Sequence, residues 1–234
     1  MTNYADHQPI LVAIDCIIFG FDGNDIKLLL IKRAFEPAKN KWSLMGGFLH
    51  PHETLDEGAH RILKQLTGLT GLYMEQLHAF SAVNRDPEER TVSVAYFALI
   101  DIHKYQQQIS DQYRAEWFLL SARPKLIFDH DDMVQTAQKQ LRYKAALHPI
   151  LFELLPEKFT IPQLQNLYEG VYDTAFDNRN FTRKLMSTGL FIKQNLKDKS
   201  GSKKGAFYYK LDKRKYKMKQ AAFLNFIPKA DKFL

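Results

Sequence analysis

The first 128 residues alternate short apolar segments with turn-forming residues, which is the pattern of a β-sheet. The segment ILVAIDCIIFGF (10–21) is rich in β-branched and aromatic residues, and DGND separates it from IKLLLIKR (26–33). Together they predict a β-hairpin. Four further segments predict strands by the same pattern, at 41–49, 73–83, 90–100 and 115–120.

One helix interrupts these strands. Thr54 is followed three residues later by Glu57, which is the spacing of a capping box. The helix is expected to run from about 55 to 66, and Gly68 ends it. The pattern therefore predicts an α/β/α sandwich built on a mixed sheet.

The remaining residues show helical periodicity before a final hairpin. Asp129 is a good N-cap for a helix over 129–147, which His148 and Pro149 interrupt. The segment ILFELLP predicts a short apolar helix, and Thr160 with Gln163 forms a second capping box.

The last predicted helix starts at Asp177 and ends at Gly189. It is followed by LFIKQNLKD, a basic tip KSGSKKG, and AFYYKLD, which together predict a hairpin. Two helices, a turn, a basic helix and a β-hairpin follow one another as in a winged helix-turn-helix. The fold class is therefore α+β.

Charge divides the chain in the same place. Residues 1–128 carry 13 Lys and Arg against 15 Asp and Glu, a net of −2, whereas residues 129–234 carry 20 against 11, a net of +9. We expect an effector-sensing domain at 1–128, a linker helix at 129–147 and a DNA-binding domain at 148–234.

Composition indicates a soluble, cytoplasmic protein. The apolar runs are too short to span a bilayer, and the N-terminus has no charged-then-apolar leader. The single cysteine, Cys16, cannot form an intrachain disulfide, which suits a reducing compartment. Its position among β-formers favours a buried thiol over a nucleophile.

A sequence motif covers the predicted helix of the first half. Residues 47–69 resemble the Nudix box of hydrolases that cleave nucleoside-diphosphate-linked substrates. The matching positions span a loop, a whole helix and its end, which makes the match specific. They are Gly47, Glu53, Arg61, Leu63, Gly68 and Leu69.

The box lacks its metal-binding carboxylates. The resemblance places glutamates at 62, 65 and 66, on one helix face, but this chain has Ile62, Gln65 and Leu66. Magnesium prefers carboxylate oxygens, so we expect no metal, no cofactor and no hydrolase activity. A residual metal site at Glu53 and Glu57 is the weaker alternative, because the resemblance implies that Glu53 pairs with Arg61.

The loop and its concavity are expected to survive as a binding pocket for a small effector. Its candidate lining residues lie on strands or loops that meet the box helix in this fold. They are Lys32, Trp42, Gly46, Glu53, Asp86, Glu89, Arg90 and Tyr96.

The helix at 177–188 has the character of a recognition helix. Phe181, Leu185 and Met186 recur at helical spacing and are expected to face the core. Arginine suits guanine, asparagine suits adenine, and lysines suit phosphate. The predicted DNA-binding residues are Asn178, Arg179, Asn180, Thr182, Arg183 and Lys184 on the helix, with Lys199, Ser202, Lys203 and Lys204 at the wing tip.

This combination resembles the Nudix-related transcriptional regulators. The fragments IDCIIFGF, WSLMGGF, RDPEERTVSVAY, RNFTRKL and GSKKGAFYYK are most similar to the Bacteroidetes AraR-like branch, which controls L-arabinose use. The resemblance implies a homodimeric repressor of carbohydrate-metabolism genes. Such a repressor binds a palindromic double-stranded operator and releases it when a pentose, L-arabinose, binds.

Two alternatives remain open. One is a metal-dependent Nudix hydrolase with a basic appendage. The other is a regulator of NAD metabolism that binds ADP-ribose without cleaving it.

Overall fold

The computed structural model describes Asn3 and residues 7–109, 114–147, 150–200 and 203–218. The chain forms two compact units. The first contains Met1–Phe19, Lys27–Ala98 and Lys104–Ala137, and the second contains Gly20–Ile26, Leu99–His103 and Gln138–Leu234. The functional boundaries expected at 128 and 147 stay a prediction.

A seven-stranded sheet with the order β3-β2-β1-β6-β5 organises the first unit, with β4 paired to β1 and β7 to β2. The described pairs β1–β4, β2–β3, β2–β7 and β5–β6 are antiparallel. The strands follow the predicted segments closely. They are β1 (Leu11–Phe21), β2 (Ile26–Lys32), β3 (Trp42–Ser43), β4 (Met45–Phe48), β5 (Glu75–Phe80), β6 (Thr91–Asp101) and β7 (Ala115–Leu119).

The segment predicted as one strand over 41–49 is two strands. Trp42 and Ser43 pair with β2, and after Leu44 the chain changes partner so that Met45–Phe48 pairs with β1. The apolar pattern could not show this change, because Leu44 and Met45 are both fully buried.

The helix α1 (Leu55–Thr67) is built as its sequence predicts. The Thr54 side chain accepts a hydrogen bond from the Glu57 amide, the Glu57 side chain accepts from the Thr54 amide, and Gly68 ends the helix at φ 81. Ile62 and Leu63 lie on its buried face. Burying such an apolar face is the main stabilising contribution to a surface helix.

The second unit confirms the predicted winged helix-turn-helix. Its helices α4 (Ile161–Tyr172) and α5 (Asn178–Ser187) are capped by Thr160 and Asp177 as predicted. The strands β8 (Phe159–Thr160), β9 (Phe191–Asp198) and β10 (Ala206–Leu211) form a sheet in the order β8-β10-β9. The long helix α3 (His130–Leu147) precedes them.

Several local predictions need correction. Met186 was expected in the core but is 37% exposed, because it lies five residues after Phe181 and leaves the stripe that Phe181 and Leu185 form. The ILFELLP segment is a 3-10 turn over Ile150–Leu154. The short helices α2 (Ile102–Tyr105) and α6 (Lys213–Met218) were not predicted.

Among the residues that the structure describes, none of the helices combines the length and apolar character needed to cross a bilayer.

Candidate functional site

The loop before α1 is fixed by one arginine. Arg61 donates from Nε to Glu53 Oε2 at 2.8 Å and from Nη2 to Glu53 Oε1 at 2.5 Å, as the resemblance implied. It also donates to the Phe48 carbonyl at 2.9 Å and to Gln65 Oε1 at 3.2 Å. The hydrogen bond from Arg61 lowers the pKa of Glu53 to about 2. The Glu53 carboxylate therefore anchors the loop.

The three positions without glutamate have different surroundings. Ile62 is 2% exposed, and a Cβ on Gly47 would lie 3.1 Å from its Cγ1. Gln65 and Leu66 instead reach a surface cleft. Within the described part of the chain, no group of three His, Cys, Asp or Glu side chains could hold a metal ion. These residues can pack and hydrogen-bond, but they do not supply a carboxylate cluster.

The cleft that Gln65 and Leu66 reach is cationic, and we call it the basic cleft. Its volume is about 390 Å³, and Lys32, Arg33 and Arg114 line it without a carboxylate among the described lining residues. Three positive side chains attract an anion and oppose a bound dication.

A second cleft, which we call the acidic cleft, has a volume of about 440 Å³. It shares Arg33, Phe35, Ser43 and Gly46 with the basic cleft. Five carboxylates line it against two guanidinium groups, which makes it suitable for hydroxyl donors. The charged lining residues are Asp15, Glu36, Asp86, Glu88 and Glu89 with Arg33 and Arg85.

Four of the predicted effector residues line these clefts. Gly46 lines both clefts, Lys32 lines the basic cleft, and Asp86 and Glu89 line the acidic cleft. Their role as ligand contacts stays a prediction.

The other four predicted effector residues have structural surroundings. The Trp42 ring packs edge-on against Phe118, with 4.7 Å between centroids. Glu53 holds Arg61. Arg90 donates to the carbonyls of Ser81, Ala82 and Thr91.

Tyr96 is the fourth of these. It is 2% exposed and donates to Asp56 Oδ1 at 2.6 Å, which ties β6 to the first turn of α1. Burial, followed by the hydrogen bond to Asp56, raises the pKa of Tyr96. Its hydroxyl is therefore a structural donor.

Sequence reasoning missed a buried ionic cluster beneath the acidic cleft. Arg85 donates to both carboxylate oxygens of Asp129 at 2.8 Å, and its Nη2 lies 3.7 Å from Asp15 Oδ2. Ser93 donates to Asp15 Oδ2 at 2.6 Å. The one available signal was Asp15 itself, an acidic residue inside the apolar segment at 10–21.

His130 completes the cluster. The Leu44 amide donates to its Nδ1 at 3.2 Å, so the proton of the neutral ring lies on Nε2, which is 3.6 Å from Asp15 Oδ1. Burial lowers the pKa of His130, which opposes the effect of the neighbouring Asp15 and Asp129. The ring is therefore neutral near pH 7.

Arg33 and two aromatic rings were also missed. The Arg33 guanidinium lies 4.3 Å from the Phe35 ring centroid and 5.8 Å from that of Phe128, and its Nε donates to the Pro37 carbonyl at 2.8 Å. It is held at the edge shared by both clefts. Cation–π contacts and this hydrogen bond keep the guanidinium in place where it lines both clefts.

The predicted recognition helix presents its first turn to solvent. Asn178, Arg179 and Asn180 are exposed. Asn178 Oδ1 accepts from Gln165 Nε2 at 2.6 Å, and Asn180 Oδ1 accepts from Arg183 at 2.8 Å. Among the described residues, Arg179 has no hydrogen bond or ion pair.

The rest of the predicted DNA-binding set divides between helix and wing. Thr182 and Lys184 are half-buried, whereas Arg183, Lys199, Lys203 and Lys204 are exposed. Ser202 lies outside the described residues. All of these assignments stay predictions.

The wing strands contribute lysines that sequence reasoning did not single out. Lys193 and Lys197 place their ammonium groups 3.7 and 4.4 Å from the Phe207 ring centroid. A groove of about 480 Å³ is lined by residues of α4, α5 and β10, among them Asn178, Thr182 and Phe207. The groove joins the predicted recognition helix to the wing.

Comparison with known proteins decides the family. The NUDIX domain matches residues 9–140, and the NrtR DNA-binding winged helix domain matches residues 151–211. The chain is 34% identical to the ADPR responsive transcriptional repressor NtrR of Acinetobacter baylyi, over 91% of this chain and 86% of that protein. This chain belongs to the Nudix-related NrtR family. The recognition of a Nudix-related regulator from sequence is confirmed.

Solved structures of relatives agree with the fold. Shewanella oneidensis NrtR in complex with a 27mer DNA has a TM-score of 0.70 at 28% identity, over 86% of this chain and 93% of that one. The NUDIX domain of the same protein, in complex with ADP ribose, has a TM-score of 0.52 at 27% identity, over 60% of this chain and 94% of that one.

An enzyme also resembles the first half. The ADP-ribose pyrophosphatase of Methanocaldococcus jannaschii is 35% identical over 53% of this chain and 70% of that protein. The relatives described here do not support the AraR-like branch, and they favour the alternative of an ADP-ribose-sensing family member. The quoted fragments identified the Nudix-related regulators correctly, but they were not sufficient to assign the branch.

Proposed function

We propose that this chain is a DNA-binding transcriptional repressor whose Nudix domain binds ADP-ribose and thereby controls operator binding. The observation that carries the proposal is the match to an ADP-ribose-responsive repressor across both halves of the chain. The exposed start of α5 and the lysine-bearing wing are suitable for base and phosphate contacts.

The two clefts are complementary to the parts of ADP-ribose. Lys32, Arg33 and Arg114 of the basic cleft are suited to the diphosphate. Asp86 and Glu89 of the acidic cleft are suited to ribose hydroxyls. Arg33 lines both and would lie between the two parts of the ligand.

We further propose that binding occurs without hydrolysis. Ile62 is buried, and Gln65 and Leu66 face the basic cleft, so this face of α1 offers one amide oxygen where the family pattern has carboxylates. Gln65 is a poor ligand for a hard dication. Incubation with ADP-ribose and magnesium or manganese should release no AMP above the level of a buffer control.

The dimeric state and the operator belong to the same proposal. A homodimer would present two copies of α5 to the two halves of a palindromic site. Light scattering should give twice the chain mass of 27.3 kDa. The genes under control would be those of NAD metabolism if ADP-ribose is the effector.

A specific observation favours a second candidate effector, a free pentose such as L-arabinose. The acidic cleft has five carboxylates and two guanidinium groups among its charged lining residues, and the Phe35 and Phe128 rings border it. A neutral polyol gains hydrogen bonds there without the charge repulsion that a diphosphate meets.

Calorimetry with two matched variants separates the candidates. If ADP-ribose binds, Lys32→Gln should weaken it about five- to tenfold, because a charge-assisted phosphate contact is lost. Glu89→Gln should leave ADP-ribose affinity unchanged or improved. If L-arabinose binds, the order reverses, since Glu89 supplies an acceptor and Lys32 lies in the other cleft.

A mobility-shift assay with the upstream region of the operon that contains the gene tests the regulatory part. We expect nanomolar binding that weakens steeply with salt and that the bound effector reverses. Failure to bind any such fragment would remove the repressor proposal. Binding that no effector alters would remove its sensory part.

A further inference from the structure

Asp15 is an ionisable residue in an apolar strand that is buried over most of its length. It lies in β1 between Ile14 and Cys16, both 0% exposed, and its own side chain is 6% exposed. A carboxylate at such a position is costly unless hydrogen bonds or a paired charge compensate for lost water. Asp15 nevertheless lines the acidic cleft.

The protein satisfies only one of its two carboxylate oxygens well. Oδ2 accepts from the Ser93 hydroxyl at 2.6 Å. Oδ1 accepts no hydrogen bond from the described residues, and His130 Nε2 lies 3.6 Å from it. That distance is beyond a normal hydrogen bond. Arg85 supplies a positive charge 3.7 Å from Oδ2, but its two hydrogen bonds go to Asp129 and none goes to Oδ1.

The strand opposite Asp15 leaves space beside the unsatisfied oxygen. Gly46 is the register partner of Asp15 in the β1–β4 pair. A Cβ at position 46 would overlap Asp15 Oδ1. Gly46 itself lines both clefts. The glycine therefore keeps the floor of the acidic cleft open next to Oδ1.

From this geometry we propose that Asp15 Oδ1 accepts a hydrogen bond from a ring hydroxyl of the bound effector and selects a sugar hydroxyl over a phosphate at the cleft floor. The chemistry is shared by a free pentose and by a ribose of ADP-ribose. The inference rests on the proposed effector function and adds the residue that determines specificity within the cleft.

The charge of the cluster explains the selectivity. Asp15 and Asp129 are negative, Arg85 is positive and His130 is neutral, which leaves one negative charge below the floor. A phosphate oxygen cannot donate to Oδ1 and is repelled by it, whereas a hydroxyl donates to a charged acceptor.

The test is calorimetry of the full chain with L-arabinose and ADP-ribose, and with monodeoxy analogues of whichever ligand binds. Asp15→Asn should weaken binding by about tenfold or more, the range for a hydrogen bond to a charged group. One deoxy analogue should lose the same factor on the unchanged chain but nothing further on Asp15→Asn. Asp25→Asn is the matched control, because Asp25 is exposed in the β1–β2 turn.

A second variant keeps the carboxylate. Gly46→Ala adds a methyl group beside Oδ1 and should also weaken binding about tenfold or more, even if Asp15→Asn does not fold. Equal affinity of the unchanged chain and both variants, or a loss with every deoxy analogue independent of Asp15, overturns the inference alone. No binding of either ligand to the unchanged chain overturns the effector function and the inference with it.

Discussion

The box helix α1 and the predicted recognition helix α5 begin in the same way but have different surroundings. Each begins at a side-chain cap, from Thr54 or Asp177. On α1, Arg61 is engaged by Glu53, a backbone carbonyl and Gln65. On α5, Arg179 is exposed and meets no partner in the described part of the chain. Similar polar residues are thus committed to structure on one helix and available for recognition on the other.

The two arginines differ in whether their hydrogen-bonding groups are already used within the fold. A polar side chain whose hydrogen bonds are satisfied within the fold gains little from a ligand, whereas an unsatisfied or exposed one can gain. By this criterion the retained box residues hold the loop in place. Our proposals therefore place the effector contacts in the neighbouring clefts and at Asp15.

Loss of the Arg85 side chain is expected to destabilise the protein strongly. Arg85→Ala should lower the free energy of unfolding of the first unit by about 3–5 kcal/mol, because it leaves Asp129 and Asp15 without their buried counter-charge. Urea denaturation followed by tryptophan fluorescence reports on this unit, since Trp42 and Trp117 both lie in it.

Arg179→Ala is the matched control. It removes an exposed arginine and should change the free energy of unfolding by less than about 0.5 kcal/mol. Similar losses in the two variants would contradict the distinction between structural and available arginines.

DNA binding should reverse the order of the two arginines. Arg179→Ala should cost about 1–3 kcal/mol of operator affinity and relax discrimination at one base position, because arginine is the usual guanine reader. Lys204→Ala should instead weaken binding to all sequences similarly and reduce the salt slope by about one unit. Fluorescence anisotropy at several salt concentrations measures both, and an unchanged base preference in Arg179→Ala would count against α5 as the reader.

The smallest effect is a pH dependence confined to the first unit. Burial lowers the pKa of His130 below its ordinary value of about 6.5. Between the folded and unfolded pKa values, the unfolded ring is therefore protonated while the folded ring stays neutral. The stabilisation is complete above about pH 6.5 and is lost as pH falls through the folded pKa, with a slope of at most about 1.4 kcal/mol per pH unit.

Urea midpoints between pH 7.5 and 5.5 measure this slope above the range in which Glu53 titrates. His130→Asn keeps an acceptor near the Leu44 amide but cannot titrate, so its slope should be flatter. A slope identical to that of the unchanged chain would exclude His130 as its source.

Much of the fold could be predicted from sequence. The capping boxes at Thr54 and Thr160 and the cap at Asp177 fixed three helix starts, and all three are confirmed. The wing was predicted from two β-forming segments that flank a basic, glycine-containing tip. Predictions failed where a local pattern had two solutions, as at Leu44, where one apolar run serves two partner strands.

The candidate site was less accessible to sequence reasoning. Four of the nominated residues line the clefts, namely Lys32, Gly46, Asp86 and Glu89. Three others make contacts within the fold instead, namely Tyr96, Trp42 and Arg90. The sequence motif shows which strands and loops lie near the candidate site. Whether a side chain reaches the cleft depends on strand register and on competing hydrogen bonds, which no single segment encodes.

The local sequence is sufficient to predict the main helices and strands and to show which residues stand at positions 62, 65 and 66. Caps, strand periodicity and the identities of Ile62, Gln65 and Leu66 depend on neighbours within a few residues, so they can be read along the chain. Which charged residues come together depends on the three-dimensional fold. Asp15, Arg85 and His130 are far apart in sequence, and their convergence beneath the acidic cleft follows from sheet pairing and burial, which are long-range properties of the fold.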